Sequence, residues 1–296
     1  MFSLKNSLLE LSINPIGAEL QKISAVQNPL EFMWDGNPEI WASHAPNLFP
    51  IVGALKDNTY TYKNQTYALP KHGFVRHNPG FEVAHQSEQK LSLKLTTSEA
   101  SLKNYPFQFE FVVSYELVDN AIKITYTVKN TDDKTLYFSV GGHPAFKCPL
   151  YPDEAYSDYT LEFDRAENAL THLINMDNGL LNLQTAPVFN TPHSINLHER
   201  LFEKDALVFK NLNSDTITLT SKIHGKILTV YFSDFPFLGI WAKPKANYVC
   251  IEPWQGVADS ENSNQLLTEK EGIVALDNHK TYSASYTIEI HKAHLV

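Results

Sequence analysis

The sequence predicts a large antiparallel β-sandwich with few short helices. Three observations predict it. Apolar and polar residues alternate with period two in segment after segment. The links between these segments are short and carry turn residues. Long stretches of helical periodicity are scarce. Many strands, few helices and tight turns are the signature of an antiparallel all-β architecture.

The elements follow in chain order. Leu8 to Ile13 reads LLELSI and opens the pattern. Tyr60 to Tyr67 reads as a hairpin, TYK-NQ-TY, with an Asn in the turn. Leu91 to Leu95 alternates, as do Phe107 to Val118 and Ala121 to Val128. Only Asp119 and Asn120 separate the last two, and both tolerate positive φ, which is a hairpin signal. Thr216 to Thr220, Ile227 to Phe232, Leu238 to Ala242, Tyr248 to Glu252 and Tyr282 to Ile290 complete the series. Tyr, Phe, Thr, Val and Ile dominate these segments, as pleated strands prefer. Two short helical turns are expected, at Ala166 to Leu173 and at Ser263 to Lys270; the second has Ser263 as cap and Gly272 just beyond its end. The Pro- and acid-rich stretch from Cys148 to Tyr159 reads as a surface excursion at the rim of a site. No repeat, low-complexity tract or flexible linker divides the chain, so residues 1–296 are expected to form one domain.

Composition narrows the function. Hydrophobic residues make up 43% and charged residues 19%, enough apolar surface for a sizeable core. The net charge of −9 repels phosphate backbones, which argues against nucleic acid as a partner. Only Arg76, Arg165 and Arg200 are arginines, which disfavours a site built from several guanidinium forks. No apolar run approaches membrane-spanning length and no basic-then-apolar leader opens the sequence. Cys148 and Cys250 then read as two free, buried thiols in a reducing cytoplasm, with their proximity in space left open. The 12 histidines show no close His/Cys pair at ligand spacing, so no metal site is expected.

Three polar stretches interrupt the strand pattern: PKHGFVRHNP at Pro70 to Pro79, GGHPAF at Gly141 to Phe146, and CIEPWQGVAD at Cys250 to Asp259. In the second, two glycines permit close backbone approach, and Pro144 restricts His143 to extended backbone. A stiffly held imidazole suits proton transfer near neutral pH, although a structural histidine in a tight turn would read the same way. In the third, Glu252 ends an apolar run, where burial raises a carboxyl pKa towards the range of a general base. A strand-end carboxylate satisfied by local amides is the plainer alternative. The first stretch offers His72 and Arg76 on a short loop, aimed at hydroxyl groups or at Glu252; a solvated basic loop is its alternative.

HGFVR, GGHPAF and CIEPWQGVAD, in this order across an all-β chain, resemble the aldose 1-epimerase family, and its LacX-like branch in particular. NLFPIVG at Asn47 to Gly53 and FEKDALVF at Phe202 to Phe209 extend the likeness over nearly the whole chain. The resemblance implies a galactose-mutarotase-like β-supersandwich, no metal and no organic cofactor. It places the catalytic histidine on His143, the catalytic glutamate on Glu252, a second site histidine on His72 and a sugar-binding aspartate on Asp205. An arginine that precedes the HG dipeptide in the best-known mutarotases has no match; Lys56 occupies that region. Arg76 follows the dipeptide instead, as in the branch acting on hexose 6-phosphates.

Mutarotation breaks the C1–O5 bond of a hemiacetal and remakes it on the other face. A base takes the C1 hydroxyl proton while an acid protonates O5, the two groups lying on opposite sides of that atom pair. Glu252 is expected as base and protonated His143 as acid, with Arg76 holding Glu252 ionised. His72, Arg76, Asp205, Lys56 and Trp254 would bind the sugar, and Trp241 and Phe74 are further candidate walls or core residues. The expected partner is a small sugar such as galactose or glucose, met by a monomer or homodimer, with no nucleic acid or membrane involved. One rival is a hexose-6-phosphate 1-epimerase receiving phosphate on Lys56, Lys71, Arg76 or Lys147. Another is a non-catalytic sugar-binding protein, which would not need an acid–base pair. A glycosidase would need two carboxylates, and only Glu252 has a distinctive context.

Overall fold

The computed structural model describes residues 1–296. Two large antiparallel sheets form a sandwich. The nine-stranded sheet runs, edge to edge, through Ser194–Asn196, Tyr159–Phe163, Thr216–Ser221, Gly225–Tyr231, Thr281–Ile290, Ala121–Asn130, Phe109–Val118, Lys90–Thr96 and Glu82–Gln86. The eight-stranded sheet runs through Leu181–Ala186, Thr171–Ile174, Leu207–Lys210, Phe237–Trp241, Tyr248–Gln255, Val140–Gly142 and Asn47–Leu48, with Ala145–Lys147 also paired to Tyr248–Gln255. A three-stranded sheet of Phe2–Lys5, Leu9–Asn14 and Glu19–Ala25, the hairpin Thr59–Tyr62 with Gln65–Ala68, and the pair Leu136–Phe138 with Val274–Leu276 complete the molecule.

The alternation read from sequence becomes an inside and an outside. In Phe109–Val118, the residues Phe109, Phe111, Val113, Tyr115 and Leu117 are buried, while Glu110, Val112, Ser114 and Glu116 lie nearer solvent. Each large side chain buried in this way stabilises the fold by roughly 1.5–3 kcal/mol. Phe49, which follows Asn47–Leu48 of the opposite sheet, stacks on Phe111 at 4.6 Å between ring centroids. The Tyr126 hydroxyl donates to Asn47 Oδ1 across the same interface at 2.8 Å. The two sheets are therefore joined at the strand beside the site.

Asp119 and Asn120 form the expected two-residue link, with Asp119 at φ 53°. The second hairpin turns one residue earlier than expected. Lys63 and Asn64, both at positive φ, are its corner, and Gln65 already belongs to the returning strand. Two positive φ values in a row match the twist of the flanking strands. The helical expectations are corrected more heavily. Ala166 to Leu173 forms no helix, and Thr171 begins a strand. Ser263 to Lys270 keeps only the 3₁₀ turn Leu267–Glu269. The one α-helix is Glu99–Asn104, capped by Ser98, whose side chain accepts from the Ser101 amide. Cys148 to Tyr159 does not rim the site: Leu150 and Glu154 are buried, and Glu154 accepts from the hydroxyls of Tyr159 and Ser221. No helix is long and apolar enough to cross a membrane.

Candidate active site

The strand Tyr248–Gln255 is buried along nearly its whole length. Its residues Cys250, Glu252 and Trp254 share one face, because successive strand residues point to opposite sides. On one side of this strand, Ala145 pairs with Cys250 and Gly141 pairs with Trp254. Both pairings keep one register, which sets His143 opposite Glu252 where the ladder is interrupted between Gly142 and Ala145. The two side chains meet there: His143 Nε2 lies 3.2 Å from Glu252 Oε2. The glycines of GGHPAF are needed for this approach. A Cβ on Gly141 would come within 2.7 Å of Trp254 Cδ1, and one on Gly142 within 2.7 Å of the Tyr286 hydroxyl.

Above this pair opens a cavity of about 320 Å³. Trp41 and Trp241 stand on its wall, and both frame His143. Trp41 stacks on the imidazole at 5.1 Å and Trp241 meets it edge-on at 5.9 Å. His72 adds a third side, 5.8 Å from His143 between ring centroids. The Gly53 amide donates to His72 Nδ1 at 3.1 Å, so the His72 proton resides on Nε2. His72 itself holds a left-handed backbone, φ 68°, an uncommon state for a residue with a Cβ. Lys71, Arg76, Asp205 and Trp254 also line the cavity.

Burial governs the ionisation of the site. Desolvation pushes His143 down to about 3, and the charges of Lys71 and Arg76 add to the effect. Desolvation pushes Glu252 well above the usual carboxyl range, with Asp205 adding to the rise and Lys71 and Trp254 opposing it. Desolvation also lowers His72, helped by Lys71, His143 and Arg76. Both shifts favour the uncharged form of each group in the free protein. The two groups stand side by side in the free protein, 3.2 Å apart.

Six of the expected residues, His143, Glu252, His72, Arg76, Asp205 and Trp254, line this one cavity, and Lys56 does not. The Lys56 ammonium donates to the carbonyls of Glu261 and Ser263, at 2.9 and 3.4 Å, and its amide donates to Asp259. Lys56 braces the loop after the glutamate strand instead. Lys147 is exposed on its strand, away from the cavity. Trp241 is a wall, whereas Phe74 packs into the core against Phe49, Tyr105 and Phe109. No sequence signal singles out Trp41. It lies in an irregular stretch where no periodicity marks it, and only its stacking on His143 reveals it. Cys148 and Cys250 are both buried and free. The fold also gathers a ring nitrogen of His143, the sulfur of Cys250 and a carboxylate oxygen of Glu252 within 4.8 Å of one another. Cys250 and Glu252 share one strand, and His143 joins them from a segment more than a hundred residues earlier.

Comparison with known proteins bears on the family and the fold. The family model described as aldose 1-epimerase matches residues 1–269. The plasmid-encoded protein LacX of Lactococcus lactis subsp. lactis is 34% identical over 295 residues, covering 97% of this chain and 98% of that protein. A galactose mutarotase related enzyme from Lactobacillus acidophilus superposes with a TM-score of 0.92 at 36% identity, covering 99% of this chain and 97% of the other. A galactose mutarotase-like protein from Lactobacillus casei ATCC 334 gives 0.91 at 28% identity, covering 98% and 100%.

Proposed function

Because the chain belongs to the aldose 1-epimerase family, an isomerase family, we propose that it interconverts the α and β anomers of an aldohexose such as galactose or glucose, with His143 and Glu252 exchanging one proton with the sugar. The observation that carries this reading is the 3.2 Å approach of the two groups at the wall of an aromatic-lined cavity. The C1 hydroxyl and the ring oxygen are bonded to one carbon, so an acid and a base standing side by side can serve both.

The cycle starts with the proton on Glu252 and a neutral imidazole. His143 takes the C1 hydroxyl proton as C1=O forms and the C1–O5 bond breaks, and Glu252 delivers its proton to O5. The pair then holds an imidazolium and a carboxylate. After rotation about C1–C2 the same groups run the step backwards: imidazolium protonates the aldehyde oxygen, carboxylate takes the proton from the O5 hydroxyl, and the ring closes on the other face. The pair ends as it began. Each proton transfer contributes on the order of 10²–10⁴ in rate. His72 Nε2–H is a fixed donor for a sugar oxygen, Asp205 an acceptor, and Arg76 a donor fork. Trp41, Trp241 and Trp254 cover apolar sugar faces.

A second reading, a hexose-6-phosphate 1-epimerase, draws on one observation: Lys71 and Arg76 both line the cavity, and neither forms a salt bridge. Exchange NMR on freshly dissolved α-galactose, α-glucose and the corresponding 6-phosphates tests both readings. Catalysed exchange of the free sugars is expected. A large preference for the phosphates moves the assignment to the second reading, and no acceleration of any of them removes both.

A further inference from the structure

The proton-exchanging pair leaves one neighbour without a role. Cys250 lies two residues before Glu252 on the same strand face, fully buried, with a free thiol. Its sulfur, a His143 ring nitrogen and a Glu252 oxygen lie within 4.8 Å of one another. One of these groups is also unsatisfied. Glu252 Oε2 is buried without a hydrogen-bond partner, and Glu252 is 1% exposed.

We propose that His143, Cys250 and Glu252 form a binding site for a thiophilic divalent cation such as Zn²⁺, and that occupancy blocks the reaction. The donor set is one imidazole, one thiolate and one carboxylate, with the cavity supplying an open fourth position. Three protein ligands and one open position form a usual zinc arrangement. Zn–N and Zn–O bonds near 2.1 Å and a Zn–S bond near 2.3 Å require donors roughly 3.3–3.7 Å apart in a tetrahedron. His143 and Glu252 already stand at 3.2 Å. The sulfur needs a shift of about an ångström, within the reach of small side-chain rotations around one cation.

Charge and protons balance. The Cys250 S–H bond breaks as Zn–S forms, and that proton and the one on Glu252 pass to water. Thiolate and carboxylate then neutralise the dication, so no net charge is added beside Lys71 and Arg76. No electron moves. Because the ion takes the imidazole and the carboxylate together, the site cannot exchange a proton with a sugar while it is filled. The inhibitory consequence rests on the proposed roles of His143 and Glu252, whereas the metal site itself rests on the geometry alone.

Cobalt titration of the intact protein, followed by absorbance, tests the site without turnover. The wild type is expected to develop an intense cobalt–thiolate charge-transfer band that Zn²⁺ then displaces. Cys148→Ser should keep the band and Cys250→Ser should lose it. A wild type with no such band, or a band that survives in Cys250→Ser, overturns the proposal. If Cys250→Ser does not fold by circular dichroism, X-ray absorption of the zinc-loaded wild type decides. One sulfur in the metal shell supports the site, and a shell of only nitrogen and oxygen overturns it. In the exchange assay, Zn²⁺ should inhibit the wild type, and its inhibition constant should rise at least about tenfold in Cys250→Ser, each variant being compared with its own zinc-free rate. Equal sensitivity of the two proteins refutes the inhibitory part.

Discussion

Replacing Glu252 by glutamine separates the chemistry of the carboxyl from its volume. In the proposed cycle Glu252 passes one proton in ring opening and one in closure, so the variant loses both transfers. With each transfer contributing on the order of 10²–10⁴, anomer exchange should fall about a thousandfold, close to 4 kcal/mol in the barrier. The fold should respond in the opposite direction. Glu252 is buried and its carboxyl pKa is raised by desolvation, so the native state binds a proton there that the unfolded chain releases at lower pH. Stability from this group is fully present below the ordinary carboxyl pKa and is lost as pH rises through the raised value. The loss runs at up to about 1.4 kcal/mol per pH unit within that window. Glutamine does not ionise, so Glu252→Gln should gain stability over the wild type as pH climbs from 5 to 8. Exchange NMR on α-galactose measures the first effect, and urea unfolding at the two pH values measures the second. Wild-type-like exchange removes Glu252 from the reaction. A variant that loses stability relative to wild type with rising pH refutes the desolvated carboxyl.

Three other predictions follow from the same geometry. His143→Asn should lose anomer exchange by a comparable factor while keeping its fold, and should flatten the acid limb of the stability curve. Burial pushes the wild-type imidazole down to about 3, so native stability is present above the unfolded pKa and lost as pH falls towards that value, to an extent on the order of 5 kcal/mol. Urea midpoints between pH 7 and 4 check this. His72→Ala and Arg76→Ala should raise the Michaelis constant more than they lower turnover, which steady-state kinetics resolves; if neither changes either constant, the first loop is outside the site. Lys56→Ala should leave the Michaelis constant unchanged and lower the melting temperature by a few degrees, because it removes two bonds to loop carbonyls, each worth about 1 kcal/mol.

Much of the scaffold is legible because strands write themselves as alternation. Phe109 to Val118 and the Asp119–Asn120 corner need no tertiary information. The helix Glu99–Asn104 escapes notice because six residues are too few to display a helical period, and its marker is a single Ser cap. The turn at Lys63–Asn64 shifts by one residue because backbone twist, which the string of letters does not carry, selects the corner. Within the site, His143 and Glu252 stand out because each breaks an apolar stretch next to a proline. Lys56 misleads because its distance from the HG dipeptide says nothing about where its ammonium finds acceptors. Lys71 and Trp41 gain importance only from proximity to residues far away in the chain. The ionisation order of the pair is equally hidden, since it depends on how much water the fold removes from each group.

The paired register of Gly141–Ala145 against Cys250–Trp254 has an evolutionary consequence. The gap between the two proposed proton carriers is gauged by the spacing of adjacent strands, near 4.8 Å, and not by any loop. The residues that would choose among sugars, Lys71, Arg76 and Asp205, sit on connecting segments that can be rebuilt without touching that gauge. A lineage can therefore exchange one carbohydrate for another by rewriting surface loops while the reaction itself is inherited unchanged. An insertion of one residue between Gly142 and Ala145 would instead break the register that sets His143 opposite Glu252.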